Sequence, residues 1–358
     1  HSADAGLMTR LEAFLESLAA AAPPAAPPRA LPLLPDGRSS PDKSKAKSNG
    51  QPRTLYVPWM SDIAYGLAAA FRAYGQDAQV IPPGDGESVA AGRRWTSGKE
   101  CLPCIITAGD MIRTTQRPGF DPRHSAFLMP SGSGPCRFGQ YHCLHQLILE
   151  DLGLPEVPVI APAHDKRLYE DWEAFPGRVV SMAWNGLASF DVLAKVRLAI
   201  RPYECAAGTT DRVYHKWCRG LRRLIALRPS QRQIVAVMAR AARDFAAIAV
   251  DRSRPRPRIA VLGEIYVRHH SLANQHLLRH LERLGAEAQL ASYPEWHYYT
   301  NWVRMNDARR TGRLKDWWTS YFKDRIQRRR HASFAAPFQA LLGPLEEPST
   351  ESLLQPAA

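Results

Sequence analysis

The pattern of apolar positions between residues 53 and 162 predicts short strands that alternate with helices. Brief runs rich in β-branched and aromatic residues mark the strands, and longer runs with helical spacing lie between them. The first helix is bounded by Ser61, which can cap its start, and by Gly75, which ends it. Strands separated by helices of this length indicate parallel βαβ units. The predicted strands are 53–60, 77–83, 124–130 and 157–162, and the predicted helices are 61–75, 105–114 and 139–153.

The second half of the chain shows helical spacing first and then another strand–helix–strand unit. Helical patterns cover 181–200 and 231–250. The segments 256–268, 272–285 and 286–292 then predict a strand, a helix and a strand. The sequence therefore predicts an α/β protein with two doubly wound parallel-sheet domains joined by helices.

Changes in composition predict the domain boundaries. Apart from a short amphipathic helix at about Leu7 to Ala20, proline, alanine, serine and lysine dominate the first 52 residues, so this leader is expected to be disordered. The sequence starts at His1, and we expect a fragment or a processed product. The predicted divisions are a flexible leader (1–52), an α/β domain with the informative cysteines (53–200), a helical connector (201–256), a second α/β domain with basic C-terminal helices (257–345) and a tail (346–358).

The charge balance narrows the classes of partner. Lysine and arginine number 47 against 34 aspartate and glutamate residues, a formal net charge of +13. Such an excess favours anionic partners: nucleic acid, the phosphates of a nucleotide or of CoA, or an acidic protein. No apolar run reaches the roughly 18 residues of a membrane span, and no secretory signal is apparent. We therefore expect a cytoplasmic protein without a membrane partner, in which clustered thiols more often bind metal than form disulfides.

Three cysteines form the most informative pattern. Cys101 and Cys104 are spaced C-x-x-C, which lets two thiolates reach one metal ion or iron–sulfur cluster. If Cys101 begins the next helix, the free N–H groups and the helix dipole favour thiolates, and Lys99 adds positive charge. Cys136 follows a predicted strand and a glycine-rich turn, where ligands bind in open α/β sheets. The spacing of Cys101 and Cys104 alone also fits a redox dithiol or half of a zinc site.

Other candidates have both a functional and a structural interpretation. Glu264 and Arg268 follow a predicted strand, so they either reach a ligand in the cleft between domains or form a helix cap and a surface ion pair. The basic, aromatic-rich segment Arg304–His331 fits a nucleic-acid surface or, as we favour, an amphipathic helix that packs its aromatic rings. Cys143 lies on the apolar face of a predicted helix and is interpreted as a core residue.

Two motifs around these cysteines give the chain a family resemblance. They are SGKECLPC at 97–104 and GPCRFGQY at 134–141, and the stretches RTLYVPWMSDIAYGLAAAFRAYG, IRPYE, GEIYVR and PEWHYY agree with them. Over about 53–325 the sequence resembles the 2-hydroxyacyl-CoA dehydratase-like proteins, in particular the dehydratase-like C-terminal region of the large CoA-enzyme activases and their double-cubane-cluster relatives. The large relatives carry an ATPase module ahead of this region, so we expect either the C-terminal piece of such a protein or a stand-alone subunit.

This resemblance implies an oxygen-sensitive iron–sulfur protein of anaerobic metabolism, with a 4Fe-4S or double-cubane cluster at the junction of α/β domains. By the match of motifs, the metal ligands are Cys101, Cys104 and Cys136. An ATP-hydrolysing activator of the actin/Hsp70 type is the implied partner and source of low-potential electrons. The implied substrate is a CoA thioester or another compound that is hard to reduce, and the implied activity is that of a lyase or reductase component.

The resemblance also bears on the surroundings of the cluster. Hydrogen bonds and burial tune cluster potentials, and Ser97, Lys99 and Arg137 are the first candidates for this role. Cys205 and Cys218 lie outside the matching motifs and receive no ligand role. A homo- or hetero-oligomer is expected. The alternatives are a non-catalytic structural or zinc-binding module that docks on the activator, and a nucleic-acid binder through the basic C-terminal region, the less favoured of the two.

Overall fold

A sheet of four short parallel strands lies in the first half of the chain. The computed structural model describes residues 53–132, 136–162 and 177–342 and has a mixed α/β fold. The predicted leader, the loop 133–135 and the predicted tail fall outside the described residues. The strands are β1 (Thr54–Val57), β2 (Ala78–Val80), β3 (Ser125–Leu128) and β4 (Val159–Ile160). Their order across the sheet is β2-β1-β3-β4 with every pair parallel, so the four predicted strands are confirmed.

Helices cover both faces of this sheet. They are α1 (Ile63–Ala73), α2 (Gly86–Arg93), α3 (Leu102–Thr115) and α4 (Tyr141–Asp151). Side chains alternate across each strand. Leu55 of β1 packs on one face with Phe71 of α1, and Phe127 of β3 packs on the other with Met111 of α3 and Leu149 of α4. The sheet is therefore buried between two helical layers, as parallel sheets usually are.

The second half of the described chain is mainly helical. Its elements are α5 (Gly177–Ile200), α6 (Thr209–Ala226), α7 (Gln231–Ala246), β5 (Arg258–Val261), α8 (Ile265–His269), α9 (Leu277–Arg283), β6 (Glu287–Leu290), α10 (Tyr293–Arg310), α11 (Leu314–Ala335) and α12 (Gln339–Leu342). Strands β5 and β6 form a parallel sheet of two strands, smaller than the second doubly wound sheet that we expected. Helix α9 begins five residues later than expected because Gln275 and His276 adopt positive φ angles of 54° and 57°, which helical residues do not.

Helix α5 is the centre of the packing. Its sequence is apolar on every side, and such a helix is stable only when it is buried on every side. It contacts α1, α6, α10, α11 and β6. The closest approach is to α1, where Gly66 faces Gly186: a Cβ added to Gly66 would lie 2.8 Å from the Gly186 carbonyl carbon. No described helix, α5 included, combines the length and the apolar character needed to cross a bilayer.

A buried carboxylate links α5 to the start of α10. Asp191 accepts a hydrogen bond from the Ser292 hydroxyl at 2.7 Å and another from the Tyr293 N–H at 3.0 Å. The Lys195 ammonium lies 4.0 Å from the same carboxylate, and His331 Nε2 of α11 lies 3.9 Å away. Because a buried charge is stable only with such partners, this group fixes where α10 and α11 pack on α5.

An apolar row remains exposed along α11. Leu314, Trp318, Phe322 and Ile326 follow one another at intervals of four residues, and each exposes more than half of its surface. The expectation that this basic segment packs its aromatic rings is therefore wrong for Trp318 and Phe322. The rings of Trp318 and Phe322 stack on each other instead, with 5.6 Å between their centroids, and remain exposed to solvent.

The contact between α1 and α5 predicts a difference between two glycine substitutions. Gly66→Ala is expected to destabilise the protein by about 1–3 kcal/mol, because neither helix backbone can move away cheaply. Gly220→Ala in α6 is the matched control. Its nearest neighbour would be 3.8 Å from the new Cβ, and removing a glycine from a helix interior should stabilise by up to about 1 kcal/mol. Urea unfolding followed by circular dichroism compares the two variants, and equal effects would contradict the close contact.

Four buried histidines predict a loss of stability in mild acid. Burial lowers the pKa of His145 to about 3 and the pKa values of His269, His270 and His331 to about 4. Unfolded histidines have pKa values near ~6.5, so the unfolded chain binds more protons below that pH. Stability should therefore fall as the pH drops from about 6.5 towards 4. Burial raises the pKa of Asp110 to about 7, which acts in the opposite direction for one proton only.

The urea midpoint at pH 7.5 and at pH 5 measures this loss. We expect a clearly lower midpoint at pH 5, and we expect the same difference in the His124→Gln variant, because the His124 side chain is 44% exposed. An unchanged midpoint at pH 5 would show that these histidines are accessible to protons in the folded protein.

Candidate functional site

The order of the strands creates a crevice beside Cys136. Strand β1 is followed by β2 on one side, whereas β3 and β4 lie on its other side, so the direction of winding reverses between β1 and β3. In open α/β sheets, ligands bind at the carboxyl ends of the strands at this switch point. Cys136 comes after the end of β3 and precedes the short 3₁₀ helix Arg137–Gln140. A Cβ on Gly139 would lie 2.1 Å from the Gly132 carbonyl oxygen, so the turn depends on a glycine here.

Cys101 and Cys104 lie at the start of α3, as predicted. Cys101 is the residue before the helix, and its carbonyl accepts hydrogen bonds from the N–H groups of Cys104 at 2.9 Å and Ile105 at 3.2 Å. Cys101 is half-buried, whereas Cys104 is 2% exposed and packs with Met129 and Tyr141. The first turn of α3 therefore presents one accessible and one buried thiol.

The two cysteine motifs meet around Tyr141. The Arg137 guanidinium donates to the Lys99 carbonyl at 2.7 Å, which joins the loop of the second motif to that of the first. Tyr141 packs with Cys104, and Cys101 packs against the same cluster. Burial raises the pKa of Tyr141 strongly, and Cys101, Cys104 and Cys136 all add to this rise. The first motif therefore packs against a tyrosine of the second motif.

The three sulfurs are neighbours, but they do not form a ligand set as they stand. Across residues 53–132, 136–162 and 177–342, no three histidine, cysteine, aspartate or glutamate side chains make a group that could hold a metal ion. All six cysteines are free thiols. The donor chemistry nevertheless suits an iron–sulfur cluster, which cysteine thiolates hold. Cys136 is exposed and so has room to rotate towards the other two.

The ionisation of Cys104 differs from the expectation. A position in the first turn of a helix was expected to favour the thiolate, yet the pKa of Cys104 is raised to about 12. Burial is the main cause, the Glu100 carboxylate and Cys101 add to it, and Arg137 opposes it. Desolvation therefore outweighs the helix dipole, whose effect is modest. Binding of a metal at Cys104 must displace a proton.

Ser97 and Lys99, two of the three residues expected to tune a cluster, are hydrogen-bonded to the Glu100 carboxylate. The Ser97 hydroxyl donates to one Glu100 oxygen at 3.0 Å, and the Lys99 N–H donates to the other at 3.1 Å. Ser97 thus bonds to a carboxylate rather than to a sulfur. Arg137 acts on the Lys99 backbone. The sequence analysis missed Glu100, although its position next to Cys101 was a visible signal.

Glu264 and Arg268 serve the local structure of α8. The Glu264 carboxylate accepts from the Val267 N–H at 2.8 Å and so caps the helix. Arg268 donates to the Ser292 carbonyl at 3.1 Å and lies 3.8 Å from the Glu295 carboxylate. These contacts match the structural interpretation of both residues, and a ligand role for either stays a prediction.

The remaining three cysteines lie outside the two cysteine motifs. Cys143 is half-buried on α4, with its sulfur 3.3 Å from His142 Nε2. Cys218 is buried in the core around α5 and α6, and Cys205 is exposed. The interpretation of Cys143 as a core residue is therefore wrong, because its side chain is only half-buried and its sulfur faces His142 and Gln140.

Tyr141 and His145 are functional candidates that the sequence analysis missed. His145 Nε2 lies 3.3 Å from the Thr107 hydroxyl, so α4 contacts the first turns of α3. The available signal was Tyr141, an aromatic donor placed five residues after Cys136 at the start of a predicted helix.

Comparison of the chain with protein-family models, with curated proteins and with solved structures gives no match. The site is therefore interpreted from its own geometry, and the family resemblance of the cysteine motifs stays a prediction.

The burial of the thiols predicts their order of alkylation in metal-free protein. Exposed Cys136 and Cys205 should react with a short pulse of iodoacetamide, because the reagent attacks accessible thiolate. Cys104 should stay unlabelled until denaturant is added, since it is buried with a pKa of about 12. Peptide mass spectrometry locates the label. Cys218, which is also buried, is the matched protected control, and labelling of Cys104 as fast as Cys136 would contradict the described packing.

Proposed function

We propose that this chain is an iron–sulfur protein that binds a cubane-type cluster through Cys101, Cys104 and Cys136. The observation that carries the proposal is the junction of the two cysteine motifs, where Tyr141 packs with Cys104 and Arg137 bonds to the Lys99 backbone, after the end of β3 at the switch point of the sheet. Two of the three cysteines stand at a helix N-terminus, where N–H groups offset the negative charge of metal-bound thiolates. When bound, such a cluster supplies one-electron chemistry at low potential.

The chain's own residues have distinct roles in this proposal. Arg137 holds the Cys136 loop against the Lys99 backbone. Tyr141 packs beside Cys101 and Cys104, and its assigned role is to donate a hydrogen bond to a sulfur of the cluster, because such donors tune the potential of a cluster. Burial of Cys104 excludes water from one side of the centre. Glu100, inside the first motif, carries a negative charge that disfavours ionisation of the Cys104 thiol. The positive charge of a bound metal compensates for it.

The wider proposal rests on the sequence resemblance. The electron donor is an ATP-hydrolysing activator of the actin/Hsp70 type, and the acceptor is a CoA-thioester-type or other hard-to-reduce substrate, with the chain acting as a lyase or reductase component. The net charge of +13 suits the phosphates of CoA. The proposal includes a cytoplasmic location, a homo- or hetero-oligomer, and a second domain built on β5 and β6.

Anaerobic reconstitution with iron and sulfide tests the cluster. The wild-type protein should become brown and bind both elements in stoichiometric amounts, with a paramagnetic signal after reduction. Cys101→Ser, Cys104→Ser and Cys136→Ser should each reduce bound iron and sulfide to background, because a hydroxyl replaces a ligating thiolate. Circular dichroism checks that each variant is folded.

Cys205→Ser is the matched control, since Cys205 is exposed like Cys136 but lies outside both cysteine motifs. It should bind iron and sulfide like the wild type. A colourless wild-type protein would refute the proposal, and zinc without sulfide would favour the structural module instead.

A further inference from the structure

One face of α11 carries exposed apolar side chains and exposed arginines together. Its apolar row consists of four residues that each expose more than half of their surface: Leu314, Trp318, Phe322 and Ile326. Arg325 and Arg329 are also exposed, and they lie on the same side of the helix because they come three positions after Phe322 and Ile326. These six residues are the exposed face of α11.

The two central rings of this face form one aromatic surface. Trp318 and Phe322 are one helical turn apart, and their rings stack with 5.6 Å between the centroids and 24° between the planes. Trp317 meets Trp318 edge-on at 4.8 Å and stacks on Tyr321 at 5.3 Å, so it supports the exposed ring pair from the side. A supported ring pair that is open to solvent offers an apolar surface to a planar ligand.

The arginines of the exposed face differ from the other arginines of α11. Arg328 faces α10 and pairs with the Asp324 carboxylate at 2.7 Å, and Arg330 donates to a hydroxyl of α5. Arg325 and Arg329, by contrast, have no ion-pair partner among the described residues. Their positive charge is therefore available to an anionic partner.

We propose that the exposed face of α11 binds single-stranded nucleic acid, with bases stacked on the ring pair and phosphates paired with the two arginines. Proteins that hold single strands combine positive side chains along the backbone with aromatic rings on which the bases stack. From Trp318 to Arg329 the helix rises by about 16 Å, a length that accommodates a short run of nucleotides.

The structure removes the reason for which the sequence analysis preferred another interpretation of this segment. That analysis favoured an amphipathic helix because it expected the aromatic rings to pack, yet Trp318 and Phe322 are 51% and 57% exposed. This binding site goes beyond the proposed function, because it uses none of the residues of the two cysteine motifs.

Other occupants fit the mixture of rings and arginines less well. In a two-fold dimer through this face, Arg325 and Arg329 would approach the same arginines of the second copy, and like charges repel. The centres of protein interfaces are depleted of charged residues, and helices that lie on membranes separate their apolar side from their charged side. On α11, Arg325 lies between Phe322 and Ile326 instead.

Fluorescence anisotropy with a fluorescein-labelled 20-mer of deoxythymidine tests this face in the whole chain. Affinity should fall steeply as the salt concentration rises, because phosphate contacts release counterions. The same 20-mer annealed to its complement should bind at least about tenfold more weakly, since paired bases cannot stack on the rings.

Leucine substitutions separate base stacking from simple apolar docking. Phe322→Leu keeps an apolar side chain but removes the ring, so it should weaken binding of the 20-mer by about 5- to 100-fold. Trp318→Leu should do the same, whereas Trp318→Phe keeps a ring and should bind within about threefold of the wild type. Leu284→Ala is the control: Leu284 is 84% exposed just after α9, and its loss should leave affinity unchanged.

The arginines are tested through the salt dependence. Arg325→Ala and Arg329→Ala should each reduce the slope of log affinity against log salt by about 0.7, the value for one phosphate of a single strand. Arg219→Ala is the matched control, because it removes the same charge from an exposed position on α6, which packs on α1, α5 and α7. It should leave the slope unchanged. Circular dichroism checks that each variant is folded.

Failure of the wild type to bind the 20-mer at about 50 mM salt would overturn the proposal. Wild-type affinity in Phe322→Leu, equal binding of the duplex, or the same loss in Arg219→Ala as in Arg325→Ala would overturn it too. Gel filtration and sedimentation with phosphatidylglycerol vesicles test the other occupants. A wild-type dimer that Phe322→Leu dissociates, or vesicle binding without binding of the 20-mer, would assign the face to a second copy or to a lipid surface instead.

Discussion

Burial of α5 on all sides is the constraint on which the rest of the structure depends. A helix that is apolar all round needs a partner in every direction, and α5 obtains them from α1, α6, α10, α11 and β6. Because α1 also covers one face of the four-stranded sheet, α5 connects that sheet to the second half of the chain. The buried Asp191 adds direction to this packing, since its hydrogen bonds fix the start of α10.

The chemistry of the crevice is governed by low polarity more than by formal charge. Desolvation keeps the Cys104 thiol protonated. The charged residues beside Cys101 include both signs, Lys99, Glu100 and Arg137, so the net charge of +13 does not decide the ionisation of the buried thiol.

The sequence predicted the regular elements well because their signals are local. The strands of the first sheet and the helix that begins after Cys101 follow from alternation, capping and glycine positions, which act within a few residues. The late start of α9 was missed because left-handed residues leave no periodic signal. The exposure of Trp318 was missed because the periodicity of a helix does not show which of its aromatic rings pack against another element. The packing of Cys101 and Cys104 with Tyr141 was only half visible, since it depends on contacts between distant segments.

The contact between Gly66 and Gly186 also determines where the chain can change in length. One residue inserted into α1 ahead of Gly66 would turn the rest of the helix by about 100°, and Tyr65 or the inserted residue would replace the glycine at the crossing. A side chain of that size does not fit between two helix backbones in contact. Insertions and deletions should therefore be confined to turns such as those at Gly75 and Gly312, and the spacing from the end of β1 to Gly66 should stay constant in functional variants.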